Sequence, residues 1–88
     1  MDYKIDYLLD INKKVKRWPK KRYEKDAVLQ YIQSKFEKNH KYSEKEVNAI
    51  IIEWHLFNDF ALLRREMVDS SLIKRTADCR EYWIEERT

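Results

Sequence analysis

Glycine is absent from this chain of 88 residues, and proline occurs once, at Pro19. Without glycine no residue takes a left-handed backbone free of steric cost. That excludes a Gly-rich phosphate cradle and a nucleophile elbow, and argues for helices joined by few specialised turns. A single cysteine, Cys79, excludes an internal disulfide and suits a reducing, cytoplasmic setting. No apolar run approaches the ~20 residues that span a bilayer. The opening MDYKIDYLLD has no basic region leading into an apolar one, so neither membrane association nor secretion is expected. His40, His55 and Cys79 are the only soft metal ligands, and none forms a C-x-x-C or H-x-x-x-H pair. No metal and no cofactor are therefore expected. Catalytic constellations are missing too, and the carboxylates alternate with lysines as on solvated helices, so the chain is not read as an enzyme.

Hydrophobic residues make up 43% and aromatics 14% of the chain, enough for one small core, expected around Trp54, Phe60 and Trp83. At this size the core gives only marginal stability. The net charge of +3 hides an uneven distribution: residues 12–25 carry +7, residues 1–11 carry −2, and residues 26–88 carry −2. A nucleic-acid partner would have to be held mainly by the N-terminal arm or by one face of the fold.

Along the chain, Ile5, Leu8, Leu9 and Ile11, beside Tyr3 and Tyr7, predict a short amphipathic helix over residues 3–11. It is too short to stand alone, so it needs a surface to lie on. A basic arm follows, ending in WPKKR, with Pro19 suited to a helix entry. Leu29, Ile32 and Phe36 predict a helix over about residues 21–36, and Tyr42 a brief strand. Ser43 and Glu46 form an S-x-x-E capping box for the next helix, whose stripe is Val47, Ile50, Ile51 and Trp54. Asn58 or Asp59 caps a further helix that buries Phe60, Leu63 and Met67 and runs to about Asp69 or Ser70. LIKR and EYWI, separated by TADC, predict a hairpin. The fold class is mainly α with a small β-hairpin: a winged helix-turn-helix preceded by a short N-terminal amphipathic helix. The division is an N-terminal helix and basic arm over 1–19 and the winged helix-turn-helix over 20–88.

KFEKNHKYSEKEVNAII followed by FNDFALLRREMVDSSLIKRTADCREYW resembles the bacterial domain of unknown function 2087. The resemblance covers about residues 18–84, carried by YSEKEVN, LRREMVD and the closing EYW. That family is found alone or appended to ArsR-type and other transcriptional regulators, and the resemblance implies a winged-helix character and a link to transcriptional regulation. Such domains often place Asp-Gly at the hairpin turn, where this chain has Asp78-Cys79. A longer or looser tip is expected here.

The leading expectation is duplex-DNA binding through the second helix of the pair, the wing and the basic arm. At about 100° per residue, Asn58, Ala61, Leu62, Arg65 and Asp69 fall opposite the core face. Arg65 is placed to reach a guanine edge or a phosphate, or is simply a solvated arginine. Leu62 is a thymine-methyl contact, a dimer contact or an isolated surface leucine. Lys20, Lys21 and Arg22, with Lys45, Lys74, Arg75 and Arg80, are the phosphate candidates. Arg64 lies on the flank of the core face and is assigned to a structural ion pair, with Glu46 or Glu53 as partner. Trp18 is assigned to the core rather than to stacking on a base. The alternative is a protein-interaction or dimerisation module that does not read DNA, with a homodimer formed through the Tyr3–Ile11 helix.

Overall fold

The computed structural model describes residues 5–85. Three helices, α1 (Arg22–Gln33), α2 (Glu44–Glu53) and α3 (Phe60–Asp69), are followed by an antiparallel hairpin of β1 (Lys74–Arg75) and β2 (Tyr82–Trp83). The register pairs Lys74 with Trp83 and Arg75 with Tyr82.

Local chemistry sets the helix limits. Lys21 is extended just ahead of α1, after the buried Pro19, and Glu24 places a carboxylate in the positively polarised first turn. α2 starts at the complete capping box: the Glu46 amide donates to Ser43 Oγ at 3.1 Å, and the Ser43 amide to Glu46 Oε1 at 2.8 Å. Asp59 rather than Asn58 caps α3, its carboxylate accepting from the Leu62 amide at 3.2 Å.

α3 closes in a Schellman arrangement, with Ser71 N–H bonded to Val68 O at 3.0 Å and Leu72 N–H to Met67 O at 2.9 Å. The left-handed residue this requires is Ser71, at φ 60°. In the absence of glycine, Lys13, Asn39, Asn58 and Cys79 also take positive φ. Asparagine tolerates that region; the others carry the crowding of a Cβ. Relieving it is worth about 1–2 kcal/mol, against about 0.5–1 kcal/mol for the extra freedom glycine has in the unfolded chain. The Ser71 hydroxyl makes no hydrogen bond among the described residues. Ser71→Gly is therefore expected to stabilise the domain by about 0.5–1 kcal/mol, read as a rise of a few degrees in the thermal midpoint. An unchanged or lower midpoint would refute the balance.

The fully buried side chains include Leu8, Val15, Val28, Leu29, Ile32, Val47, Ile51, Leu63, Met67, Ile73 and Tyr82. Trp54, Phe60 and Trp83, expected at the centre, are all half-buried, the first two packed against the outside of the core. The buried ring positions are taken by Tyr31, Phe36, Tyr42 and Tyr82 beside the aliphatic side chains, and the larger indoles keep part of their surface in water. Tyr82 points inward and Trp83 outward, where Lys41 Nζ sits 3.9 Å from the centre of its ring. Tyr42 does pair with the hairpin: it exchanges backbone hydrogen bonds of 2.8 Å in both directions with Tyr82. Trp18 is half-buried against the core, as expected.

The expected helix over residues 3–11 is replaced by a single 3-10 turn, Asp6–Leu8; Tyr3 lies outside the described residues. The chain then turns back. Asp10 Oδ1 accepts from the amides of Asn12 (2.9 Å) and Lys14 (2.8 Å), which stops helix growth. Val15 pairs on one side with Leu9 and on the other with His55. Ile5 and Leu8 are buried in the common core, while Tyr7 and Ile11 stay exposed. The apolar positions Ile5 and Leu8, placed on the Tyr3–Ile11 dimer face, are thus used within the domain itself.

Candidate nucleic-acid interface

α3 has two occupied flanks and one open face. Leu63 and Met67 face the core. On one flank Arg64 approaches α2: its Nη1 donates to Asn48 Oδ1, and its Nε lies 3.9 Å from Glu44 Oε1. The structural role assigned to Arg64 fits, but its partner is Glu44, not Glu46 or Glu53. Glu46 is engaged in the capping box, and Glu44 lies one helical turn from Asn48 on the same side of α2. On the other flank Glu66 meets Arg22 Nη1 at 3.9 Å, and Arg22 Nε also pairs with Asp26 at 3.2 Å. The open face presents Ala61, Arg65 and Asp69. Arg65 has no hydrogen-bond or ion-pair partner among the described residues. Asn58 is exposed immediately before the cap, but Leu62 is half-buried rather than exposed, because it leans toward the Glu66 flank.

The basic arm is bound to the domain at both ends. Val15 N–H donates to Trp54 O, and Leu56 N–H to Val15 O, each at 2.9 Å, so one end is fixed at the turn ahead of α3. The other end reaches α3 through Arg22 and Glu66. Residues 15–22 therefore form a strap between the turn ahead of α3 and the start of α1, whose first residue, Arg22, lies 3.9 Å from Glu66 of α3. Along it Lys16, Arg17 and Lys20 are exposed, and they form no ion pair among the described residues. Lys21 Nζ lies 5.9 Å from the centre of the exposed Tyr23 ring. Unpaired cations on a fixed backbone make a directed positive field, where a loose arm would spread it.

The turn between α2 and α3 is held by His55. Ile51 O lies 2.6 Å from Nδ1, and the Asp59 amide donates to Nε2 at 2.9 Å. A carbonyl can only accept and an amide N–H can only donate, so the ring is the neutral tautomer protonated at Nδ1. No local sequence pattern marked this residue; its separation of four from both Ile51 and Asp59 is the one available signal.

Lys45 is exposed on the first turn of α2 and, like the exposed Lys74, is unpaired among the described residues. Arg75 folds its guanidinium back onto Thr76 O at 3.2 Å and Cys79 Sγ at 3.1 Å, and Arg80 Nε pairs with Asp78 at 3.5 Å. The hairpin tip is built on Thr76, whose hydroxyl donates to Asp78 Oδ1 and accepts from the Arg80 and Glu81 amides. The Arg80 amide also donates to Asp78 Oδ1 at 3.1 Å, and the Thr76 hydroxyl first and this amide second hold the Asp78 carboxyl below its ordinary range. Cys79 takes the left-handed position where glycine would otherwise serve. The candidate residues thus form two groups, the strap with α3 and the hairpin with its tip, and Lys45 stands apart from both on α2.

Together these elements define a three-helix domain closed by an antiparallel hairpin. Over residues 14–84 the chain matches, and belongs to, a family described as uncharacterized protein conserved in bacteria (DUF2087). No curated protein and no solved structure matches it. Among the described residues no helix is long and apolar enough to cross a membrane, and no group of three or more His, Cys, Asp or Glu side chains is placed to hold a metal ion.

Proposed function

We propose that this protein is a small winged helix-turn-helix of bacterial transcriptional-regulator type that binds duplex DNA. α3 enters the major groove with Arg65, Asn58 and the edge of Leu62. The hairpin is the wing, and Lys20–Arg22 and Lys45 hold flanking phosphates. The observation that carries this reading is the basic strap fastened beside α3, because it supplies the positive field that the helix pair lacks. The order of elements supports it as well: a helix, the Tyr42 bridge, a helix pair and a hairpin that pairs with Tyr42.

The test is fluorescence anisotropy with a mixed-sequence duplex across a salt series. Neutralising ~4–6 phosphates gives a slope of log K against log salt of about −4 to −5. Arg65→Ala is expected to weaken binding about tenfold or more and to make the slope shallower by about one if Arg65 meets a phosphate. Salt-independent binding, or none at roughly 100 μM, the weak end of non-specific affinity, overturns the reading.

A second reading, an interaction module that does not read DNA, draws on the surface. Ile11 is 93% exposed in the turn beside Val15, and Ile52 and Leu56 are about half exposed at the end of α2. Asp69 also shares the open face of α3 with Arg65. A dimer mass in sedimentation without any affinity for DNA would favour this version.

A further inference from the structure

Three elements converge on one carboxylate. Glu44, the first residue of α2, accepts from the Tyr82 hydroxyl of β2 at 2.8 Å, and the same oxygen lies 3.9 Å from Arg64 Nε of α3. Arg64 is bound a second time to α2, through Asn48. Tyr82 is bound a second time as well, through the backbone of Tyr42, two residues ahead of Glu44. Burial first, and then the bond to Glu44, push the Tyr82 hydroxyl up to about 12, so it remains a donor throughout the physiological range.

The positions of these residues matter more than the strength of the contacts. Arg64 precedes Arg65, and Tyr82 is the cross-strand partner of Arg75. The chain of contacts Arg64–Glu44–Tyr82 therefore links the residue beside the exposed arginine of α3 to the residue opposite the arginine of β1. An ion pair this long on a half-exposed carboxylate adds little to stability. Its geometric effect is larger, because the Tyr82 hydroxyl bond is directional and Arg64 faces the same oxygen, which limits how the hairpin can tilt against α3.

The geometry points to Glu44 as a positioning residue that sets the angle of the hairpin so that Lys74, Arg75 and Arg80 meet nucleic-acid phosphates while α3 occupies the groove. This rests on the DNA-binding reading above. Glu44 touches no nucleic acid in this account; it acts through Tyr82 and Arg64.

Two variants separate this role from simple destabilisation. Tyr82→Phe keeps the ring in the core and removes only the hydroxyl, whereas Glu44→Ala removes the shared acceptor. Both are measured in the full chain, folded by circular dichroism, against the same mixed-sequence duplex over the salt series. Each is expected to weaken binding about tenfold at 0.1 M salt and to make the slope of log K against log salt shallower by about one, because a phosphate contact is lost. Glu44→Gln, which still accepts from the tyrosine, is expected to keep most of the slope. A smaller folded fraction would lower the apparent affinity and leave the slope unchanged, so weaker binding at constant slope overturns the inference, as does unaltered binding. If the parent protein binds no duplex, the DNA reading falls and this inference with it. If the parent binds and the variants keep its slope, only the role of Glu44 falls.

Discussion

His55→Phe is expected to cost this domain about 1–3 kcal/mol, from the loss of both hydrogen bonds that the ring makes at this turn. The ring is 5% exposed, and phenylalanine fills nearly the same space, so the effect is not one of volume. Ile51 O keeps a partner in the Trp54 amide at 3.1 Å. The Asp59 amide does not, because Nε2 of His55 is its acceptor. At about 0.05–0.15 kcal/mol per residue, a chain of this length has a total stability of roughly 4–13 kcal/mol, so a sizeable share of it would be lost. The consequence extends to function. Asp59 caps α3 with its side chain and is held by His55 through its backbone, so the same residue decides where α3 begins and how Arg65 is presented. His55→Gln, which can donate and accept, is expected to lose clearly less. Denaturant unfolding of both variants checks this, and a His55→Phe midpoint equal to that of the parent would refute the role of the pin.

Removing the charge of the strap is expected to have the largest effect on binding. Lys16, Arg17 and Lys20 are exposed and unpaired among the described residues, so the triple change to glutamine leaves the packing alone. Each phosphate contact contributes about 0.9 to the salt slope and hence about 0.9 decade of affinity at 0.1 M salt. The triple change lowers affinity by about one decade, and makes the slope shallower by about one, for each of the three that meets a phosphate, up to three of each. Tight binding that survives the triple change with its slope intact would place the nucleic acid elsewhere on the surface. The stability of the triple variant is expected to match the parent, since exposed charges without partners contribute little to the fold.

The parts of the fold visible in the sequence were those encoded within a few residues. The Ser43–Glu46 box, the stripe of Val47, Ile50 and Ile51, the aspartate ahead of α3 and the β-prone runs on either side of TADC all express short-range chemistry. The N-terminal segment departs from its helical pattern although Ile5 and Leu8 do have helical spacing. What decides their structure is the Asp10 side chain, which binds two following amides, and the pairing of Val15 with His55, 40 residues further on. No periodicity reports a contact of that range. Arg64 shows the same division. Its flank position was readable from rotation along one helix. Its partner depended on how two helices are set against each other, which side-chain packing decides. The candidate site is likewise readable as a list of exposed cations and unreadable as an arrangement, because the strap is placed by backbone bonds at Val15 that no side-chain pattern reports. The half-buried tryptophans follow from size: three ten- to twelve-residue helices enclose aliphatic chains more readily than indoles.

The double pairing of Val15 also has a mechanical meaning. A pull applied at the amino end of the described chain passes through Leu8 and Leu9 into the strand at Val15, and from there into the backbone of Trp54 and Leu56. Those are the residues next to the joint between α2 and α3. Tension on that end is therefore delivered to the approach of α3 before it reaches the hairpin, which is anchored separately through Tyr42. In this architecture the amino-terminal segment works as a tendon rather than a tether: load on it reaches the turn between α2 and α3 before it reaches the hairpin.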